Sequence, residues 1–525
     1  MTLIKLLKES AEKNRSKVAL KFQDKYWNFE ELYDTIIKIA ASFEDRGIKK
    51  GDKVALFLKN SPEFIWSVFA LSAIGAEVVP LNFYLKYDEI LYVAENCGLS
   101  AVITQLAFLE TIKEVQKKYK GLRKIWVTDS TEKSEDIIEA FGTLLNCNSS
   151  PDRHSREKRE NPDIDAEDTV LILYTSGTTG KSKGVMLTHK NLISNATAAI
   201  EALEINNKDN FICILPLFHV FAWTANVLVP LSLGCPILIV ESIRPPQLWL
   251  KKLAKENITV FAAVPQIYAL LSQGAHGLRK WILRFLFRTV RLCISGAAPL
   301  PKEVAENFEK KIRVCLLEGY GLTETSPVTT VNSLKYKKLG TVGKVIPGVR
   351  VKIIDETEKE LGTGQEGEIC IQGPNVMKGY YGLPEETKNS FTQDGWFRTG
   401  DIGALDSEGF LTILDRIKDM IIVKGLKVFS AQVEDVLRSH PKVLEAAVIG
   451  IPTANGDEFV KAYVVLKENE TFDKMELRKH CQKLLPPYKQ PRNIEIIKEL
   501  PKNALQKVLK RELRESAMGK EHEKK

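Results

Sequence analysis

A chain of 525 residues is too long for one compact core, so it divides into two or more domains or lobes. Its 44% hydrophobic and 27% charged residues are the balance of a globular protein with a large buried core. The 75 basic and 67 acidic residues leave a net charge of +8, too mild for a dedicated nucleic-acid binder and compatible with an enzyme that handles polyphosphates.

The opening residues, MTLIKLLKESAEKNRSK, acquire charges at once and lack the apolar run of a signal peptide. Residues 53–58 (KVALFL) predict a strand, 62–74 a helix and 77–81 (EVVPL) the next strand. The pattern returns at 101–104 and 124–128. Short β-rich runs alternating with amphipathic helices predict an α/β fold, with parallel sheets carrying helices on their faces. The polar segment 146–168, with a charge run at 153–160, reads as a solvated loop or linker.

No residue from 211 to 240 is charged, which passes the length test for a membrane-spanning helix. Pro216, Pro230, Gly234 and Pro236 interrupt it, so a buried strand, a turn and a buried helix are expected instead. Residues 278–292 (LRKWILRFLFRTVRL) place Lys280, Arg284, Arg288 and Arg291 at helical spacing, with Ile282, Leu283, Leu286 and Val290 elsewhere on the wheel. Such a helix is either an ordinary surface helix or one that lies on an anionic membrane surface.

The texture changes after about residue 413. Residues 415–419 (DRIKD) are charged and without apolar periodicity, a candidate hinge. Beyond them a helix over 433–439, strands over 445–449 and 459–466 and a helix over 474–485 predict a small α+β domain of about a hundred residues. Residues 516–525 read as a frayed tail. The eight cysteines are scattered, with no CxxC and no Cys/His cluster, which argues against a disulfide framework or structural zinc and points to a reducing cytoplasm.

The sharpest local signal lies at 173–191, LYTSGTTGKSKGVMLTHKN. A predicted strand over 170–174 runs into six consecutive Ser, Thr and Gly residues: Thr175, Ser176, Gly177, Thr178, Thr179 and Gly180. Lys181 and Lys183 follow. Glycines let backbone N–H groups approach an anion, hydroxyls donate to phosphate oxygens, and the lysines add positive charge. The spacing differs from the GxxxxGK[ST] phosphate loop. A flexible linker would need neither the flanking strand nor the lysines.

Further motifs follow in order: LPLFHVFAW at 215–223, SGAAPL at 295–300, EGYGLTETSP at 318–327, TGD at 399–401, DRIKDMIIVKG at 415–425 and YKQPRNIEIIKELPKNALQKVLKR at 488–511. With the loop at 173–184, this series resembles the adenylate-forming superfamily of acyl-CoA synthetases, amino-acid adenylation domains and firefly luciferase. The resemblance covers residues 1 to about 513. It implies a large AMP-binding domain over 1–415, made of parallel and mixed sheets with a distorted β-barrel part. A hinge over 416–420 and a small mobile α+β lid domain over 421–525 would follow.

The chemistry implied is in-line attack of a carboxylate on the α-phosphate of ATP, followed by acyl transfer to a thiol. By resemblance, Thr175–Lys183 cradles the β- and γ-phosphates, and Thr175 with Glu324 forms the Mg²⁺ site. Gly296, Ala297, Ala298, Glu318, Gly319, Tyr320, Gly321 and Thr323 belong to the adenine-binding motifs. Asp401 accepts from the ribose hydroxyls with Arg416 beside it, and Lys507 is the catalytic lysine. Lys418 occupies the hinge, and Lys424 with Gly425 faces the pantetheine arm of CoA. Read alone, Glu324 is equally a helix cap, Asp401 a turn residue, and Lys507 part of a solvated stripe with Lys502 and Lys510.

His219 and Trp223 lie in the segment that lines the acyl pocket in this family. FHVxAW resembles the fatty acyl-CoA synthetases, in which the tryptophan stands at the mouth of an acyl tunnel; ordinary core positions are the alternative. Amino-acid adenylation domains place an Asp at the start of this segment to pair the substrate ammonium, because a buried cation needs such a partner. Phe218, His219, Val220 and Phe221 stand here instead, which disfavours an amino acid and fits an apolar or aromatic acid.

Four departures from the family pattern stand out: Gln506 for Gly before Lys507, Ser430 and Gln432 for Pro and Glu, and Ser182 for Pro. The resemblance implies a cytoplasmic fatty acyl-CoA synthetase using ATP, Mg²⁺ and CoA, with peripheral contact at the inner membrane surface through 278–292 as the alternative to an ordinary surface helix there. Transfer to an acyl carrier protein and a non-catalytic nucleotide- or acyl-binding homologue remain as alternatives.

Overall fold

The computed structural model describes residues 1–131, 137–146, 163–175, 182–453, 457–467, 470, 473–502 and 508–522. The chain forms two compact units, one of 1–350 with 371–397, the other of 351–370 with 398–525.

The first unit holds two large sheets. In the eight-stranded sheet, Lys53–Phe57 lies between Glu77–Pro80 and Leu99–Thr104 in parallel, and Lys124–Val127 extends the parallel run. These are the strands expected from the alternating pattern, with ends moved by one or two residues. Their Val, Ile and Ala side chains are buried, as expected for parallel strands covered by helices. Thr169–Thr175 joins beside Glu77–Pro80 and turns back antiparallel into Lys183–Thr188.

The nine-stranded sheet carries a parallel run in the spatial order Phe211–Cys213, Val260–Ala263, Leu292–Ser295 and Leu316–Gly321. The helix His189–Leu203 contacts strands of both sheets and so lies between them. Thr188 and Asn191 start that helix with a reciprocal capping box, and Asn28 with Glu31 does the same for Phe29–Asp45. Pro62 opens the helix Pro62–Ala73, where its missing N–H costs nothing.

The uncharged run 211–240 folds as two short strands, Phe211–Cys213 and Ile237–Ile239, around three short helical turns between Val220 and Leu233. Among the described residues no helix is long and apolar enough to cross a membrane.

In the second unit, part of the region expected as a distorted barrel is an open four-stranded sheet running to Leu411–Arg416; no closed barrel forms among the described residues. Beyond it stand the helix Ser430–Arg438, the antiparallel pair Val443–Pro452 and Glu458–Leu466, the helix Lys474–Leu484 and the parallel strand Asn493–Ile496. The two helices and the antiparallel pair are those expected beyond 413, with ends moved by up to three residues. The seven described cysteines are free.

Candidate functional site

Three of the predicted motifs meet at one edge of the nine-stranded sheet. The segment 215–223 leaves the C-terminal end of Phe211–Cys213, SGAAPL begins on the last residue of Leu292–Ser295, and EGYG lies in Leu316–Gly321. The three strands run parallel, and loops at the carboxyl ends of such strands are where α/β sheets bind ligands.

Side chains tie the motifs together. Ser295 is in register with Glu318, whose Oε1 accepts the Leu300 N–H at 2.8 Å. A Cβ added to Gly296 would lie 3.1 Å from the Phe221 ring, so this backbone must pass a bulky neighbour closely. Ala297 takes a left-handed conformation at φ +67, which a residue with a side chain seldom adopts outside constrained sites. A Cβ on Gly321 would fall 1.6 Å from the Pro327 carbonyl oxygen, so only glycine fits there. The hydroxyl of Thr224 donates to the Ser326 carbonyl at 2.7 Å, which joins the 215–223 region to TETSP.

His219 caps the turn Val220–Ala222 and accepts the Phe221 N–H on Nδ1 at 3.2 Å. Trp223 is wholly buried, packs near Phe64 and Phe69, and donates its indole N–H to the Leu217 carbonyl at 2.7 Å. This is the core placement left open by the sequence, rather than a position at an opening. Asn60, which no motif marked, is buried and holds the segment from both sides. It accepts the Leu217 N–H at 2.8 Å and donates to the Leu215 carbonyl at 2.9 Å.

The phosphate-loop region forms a hairpin whose arms are described and whose tip is not. Thr175 pairs with Lys183 across it. Ser176, Gly177, Thr178, Thr179, Gly180 and Lys181 lie outside the described residues, and so do Gln506 and Lys507. Ser182 accepts the Tyr92 hydroxyl on its carbonyl at 3.0 Å.

From Lys183 a chain of contacts leads to Glu324. The Lys183 ammonium lies 5.1 Å from the centre of the Tyr380 ring. The Tyr380 hydroxyl donates to Glu324 Oε1 at 3.1 Å. Tyr380 is held there because its strand pairs antiparallel with Lys183–Thr188, placing Tyr380 opposite Val185. Burial and the neighbouring Glu324 carboxylate raise its phenol well above the ordinary range, so it stays a donor. Thr175, Lys183 and Glu324 are thus linked through a tyrosine that sequence reasoning missed. The only signal for it was an aromatic pair after a glycine, GYYG.

The remaining predicted residues lie on strands and turns of the second unit. Asp401 is 4% exposed, faces Arg416 in register and lies 3.2 Å from its Nε. Lys424 and Gly425, at φ +51 and +75, form the two-residue turn between Ile421–Val423 and Leu426–Val428, a type I′ hairpin. The Lys424 N–H donates to Asp457 at 2.7 Å.

Lys418 sits on the turn Ile417–Asp419; partial burial and the Arg416 guanidinium lower its ammonium pKa below the ordinary value. Arg514 binds that turn, reaching Asp419 at 2.7 Å. Ser430 donates both its N–H and its hydroxyl to Asp415, and a proline there would offer neither. Lys510 caps this network with bonds of 2.6 Å to Ser430 Oγ and to Glu434 Oε1. Gln432 accepts from Lys489 at 2.8 Å.

Against known proteins, residues 7–381 match the AMP-binding enzyme family and 432–507 its C-terminal domain. The chain is 35% identical to a long-chain-fatty-acid–CoA ligase of Bacillus subtilis, covering 99% of this chain and 95% of that one. It is 32% identical to a 4-coumarate–CoA ligase of Humulus lupulus, covering 91% and 86%. Among solved structures, ATP-bound MatB from Rhodopseudomonas palustris superposes with a TM-score of 0.88 at 30% identity, covering 98% and 99%. The o-succinylbenzoate CoA synthetase of Bacillus subtilis, with ATP and a magnesium ion, gives 0.81 at 28% identity, covering 97% and 98%. Identity of this level along nearly the whole chain, with the motifs gathered at one sheet edge, places the protein in the AMP-binding enzyme family.

Proposed function

We propose that this enzyme activates a medium- or long-chain fatty acid with ATP, releasing pyrophosphate to form an acyl adenylate, and then transfers the acyl group to the thiol of coenzyme A. The observation that carries the reading is the meeting of 215–223, 295–300 and 318–327 at one carboxyl edge, with Phe221 against Gly296 and Thr224 bonded to Ser326. An acyl chain along the first segment would thereby end beside a nucleotide held by the other two. The name of the Bacillus subtilis relative supports the long-chain assignment.

Both reactants of the first step are anionic, so the site must neutralise charge and fix orientation. The loop 175–183 would hold the β- and γ-phosphates, with Lys183 as one fixed cation. Glu324 and Thr175 offer a carboxylate and a hydroxyl, the hard oxygen donors that Mg²⁺ takes, and Tyr380 orients the carboxylate, so this donor set fits the ion. Bound there, Mg²⁺ would neutralise phosphate charge.

Gly296–Ala298 and Glu318–Tyr320 would wall the adenine, with Gly321 and Thr323 completing the turn beside it. Asp401, backed by Arg416, would accept from the ribose hydroxyls. Lys507 would bridge the carboxylate and the α-phosphate, stabilising the charge that develops between them. His219 would border the acyl chain, and Trp223 would support the pocket wall from the core.

For the second step, the domain beyond 416–420 turns about Lys418 and presents the Lys424–Gly425 turn to the pantetheine arm. The apolar substrate suits an enzyme working from the cytoplasm at a membrane surface, the place proposed for the 278–292 region. The test is thioester formation from acids of graded length, acetate to palmitate plus benzoate, with CoA or an acyl carrier protein as acceptor. A maximum at medium or long chains with CoA supports the proposal. A thioester only on the carrier protein transfers the second step to that acceptor. ATP binding without pyrophosphate release would favour a non-catalytic homologue.

A further inference from the structure

The helix Gly277–Leu286 has two apolar faces, and only one of them is covered. Leu283 is buried, Leu286 packs against the core of the nine-stranded sheet, and Phe287 and Val290 beyond the helix end are buried there too. On the other side Leu278, Trp281, Ile282 and Phe285 are 76%, 63%, 49% and 61% exposed. Four large apolar side chains side by side in water have no folding reason to be there, and a contiguous patch of this kind marks a contact surface.

The charge around the patch indicates what covers it. No aspartate or glutamate occurs between Glu256 and Glu303, while Arg279, Lys280, Arg284 and Arg288 interleave with the exposed apolar residues. Two of the arginines are fixed on the rings. The Arg284 guanidinium lies 5.2 Å from the Trp281 ring centre and donates to the Lys311 carbonyl at 2.8 Å, and that of Arg288 lies 4.1 Å over Phe285. On the adjacent helix Lys302–Ile312, Glu306 and Glu309 face Lys302 and Lys337. Arg291, counted in the basic stripe by its spacing, turns away and pairs with Asp209 at 2.6 Å.

We infer that this face docks the enzyme on an anionic lipid bilayer, with Leu278, Trp281, Ile282 and Phe285 entering the headgroup–acyl boundary and the four basic residues meeting lipid phosphates. Aromatic and aliphatic side chains on one side with lysine and arginine at its border are the features of an interfacial helix, and tryptophan favours that boundary. A second copy of the chain is the poorer occupant, because a symmetric contact would bring two such basic rims together. The docking stands on the patch alone and does not depend on the reaction assigned to the site.

Flotation of the full chain with phosphatidylcholine vesicles, with and without phosphatidylglycerol, at low and high salt, tests it. Binding is expected to require phosphatidylglycerol and to fall with salt. The Trp281→Ser/Phe285→Ser pair and, separately, the Arg279→Glu/Lys280→Glu pair should each lower it by roughly tenfold or more. Pyrophosphate release with a water-soluble acid should stay at the wild-type rate, which shows that the variants fold. Absence of wild-type binding to anionic vesicles, or binding that survives both pairs, overturns the inference. A concentration-dependent dimer in the ultracentrifuge, abolished by Trp281→Ser/Phe285→Ser and without vesicle binding, assigns the face to a second copy and overturns it too.

Discussion

The Tyr380 hydroxyl donates to Glu324 Oε1 at 3.1 Å, joining the strand beside the phosphate-loop hairpin to the acidic residue of TETSP. Replacing Tyr380 with Phe keeps the ring under the Lys183 ammonium and removes only this bond. A carboxylate that has lost its orienting donor binds metal less well, typically by tenfold or more. The Mg²⁺ concentration for half-maximal pyrophosphate release should therefore rise about tenfold. The KM for the acid should stay unchanged, as titration of activity with Mg²⁺ at saturating ATP would report.

Trp223 is a core residue as well as a neighbour of the acyl segment. Trp223→Ala should cost about 3–5 kcal/mol in urea unfolding, the usual penalty for emptying a large buried site. Trp223→Phe preserves most of the volume but leaves the Leu217 carbonyl without its donor, a loss of about 1–2 kcal/mol. Both variants should show their effect in stability before any change in chain-length preference.

Lys510 is the nearer of two cations on Glu434, at 2.6 Å against 3.7 Å for Arg438, and it also bonds Ser430 beside Asp415. Lys510→Met leaves Glu434, with a side chain 11% exposed, near Asp415 and without its ammonium. Burial already raises the Asp415 carboxyl above its ordinary value, and Lys510 opposes that rise. Arg438 still faces Glu434 at 3.7 Å, so the loss should stay below the ~3 kcal/mol of a fully unpaired buried charge, about 1–2 kcal/mol read from the denaturant midpoint of the second unit. Lys510→Arg should restore most of the loss.

His189 supplies a pH dependence. Burial lowers its pKa from 6.5 to about 4, and its Nδ1 accepts the Leu3 N–H at 3.0 Å, which needs the neutral ring. The unfolded chain protonates this histidine near 6.5 and the folded chain resists. Its contribution is therefore complete above that pH and is lost as the pH falls toward 4. The loss amounts to about 3 kcal/mol from the shift. His189→Asn keeps an acceptor and does not titrate, so it should flatten the fall in stability between pH 6.5 and 4.

Much of this arrangement was readable because it is local. Alternation of apolar strands and helices gave the parallel runs, and the order of glycine-rich and charged motifs gave the site segments. Tyr380 escaped because its partners lie far away in sequence and only strand pairing brings them together. Trp223 was ambiguous because one spacing serves a pocket wall and a core. The basic helix, read over 278–292, ends at Leu286, six residues earlier: periodicity does not tell which apolar face is covered, and Phe287 and Val290 turn into the core after Leu286. Ser430, a departure from the family pattern, donates its hydroxyl to Asp415 and accepts from the Lys510 ammonium.

The central claim is acid activation at the sheet edge where the three motifs meet. Its most direct test is ATP-dependent pyrophosphate release by the purified chain with palmitate, with no acid, and with Lys507→Ala. The account predicts release that requires palmitate, yields palmitoyl-CoA when CoA is added, and falls by at least about a hundredfold in the variant. Equal release with and without the acid, or full activity in Lys507→Ala, would contradict it.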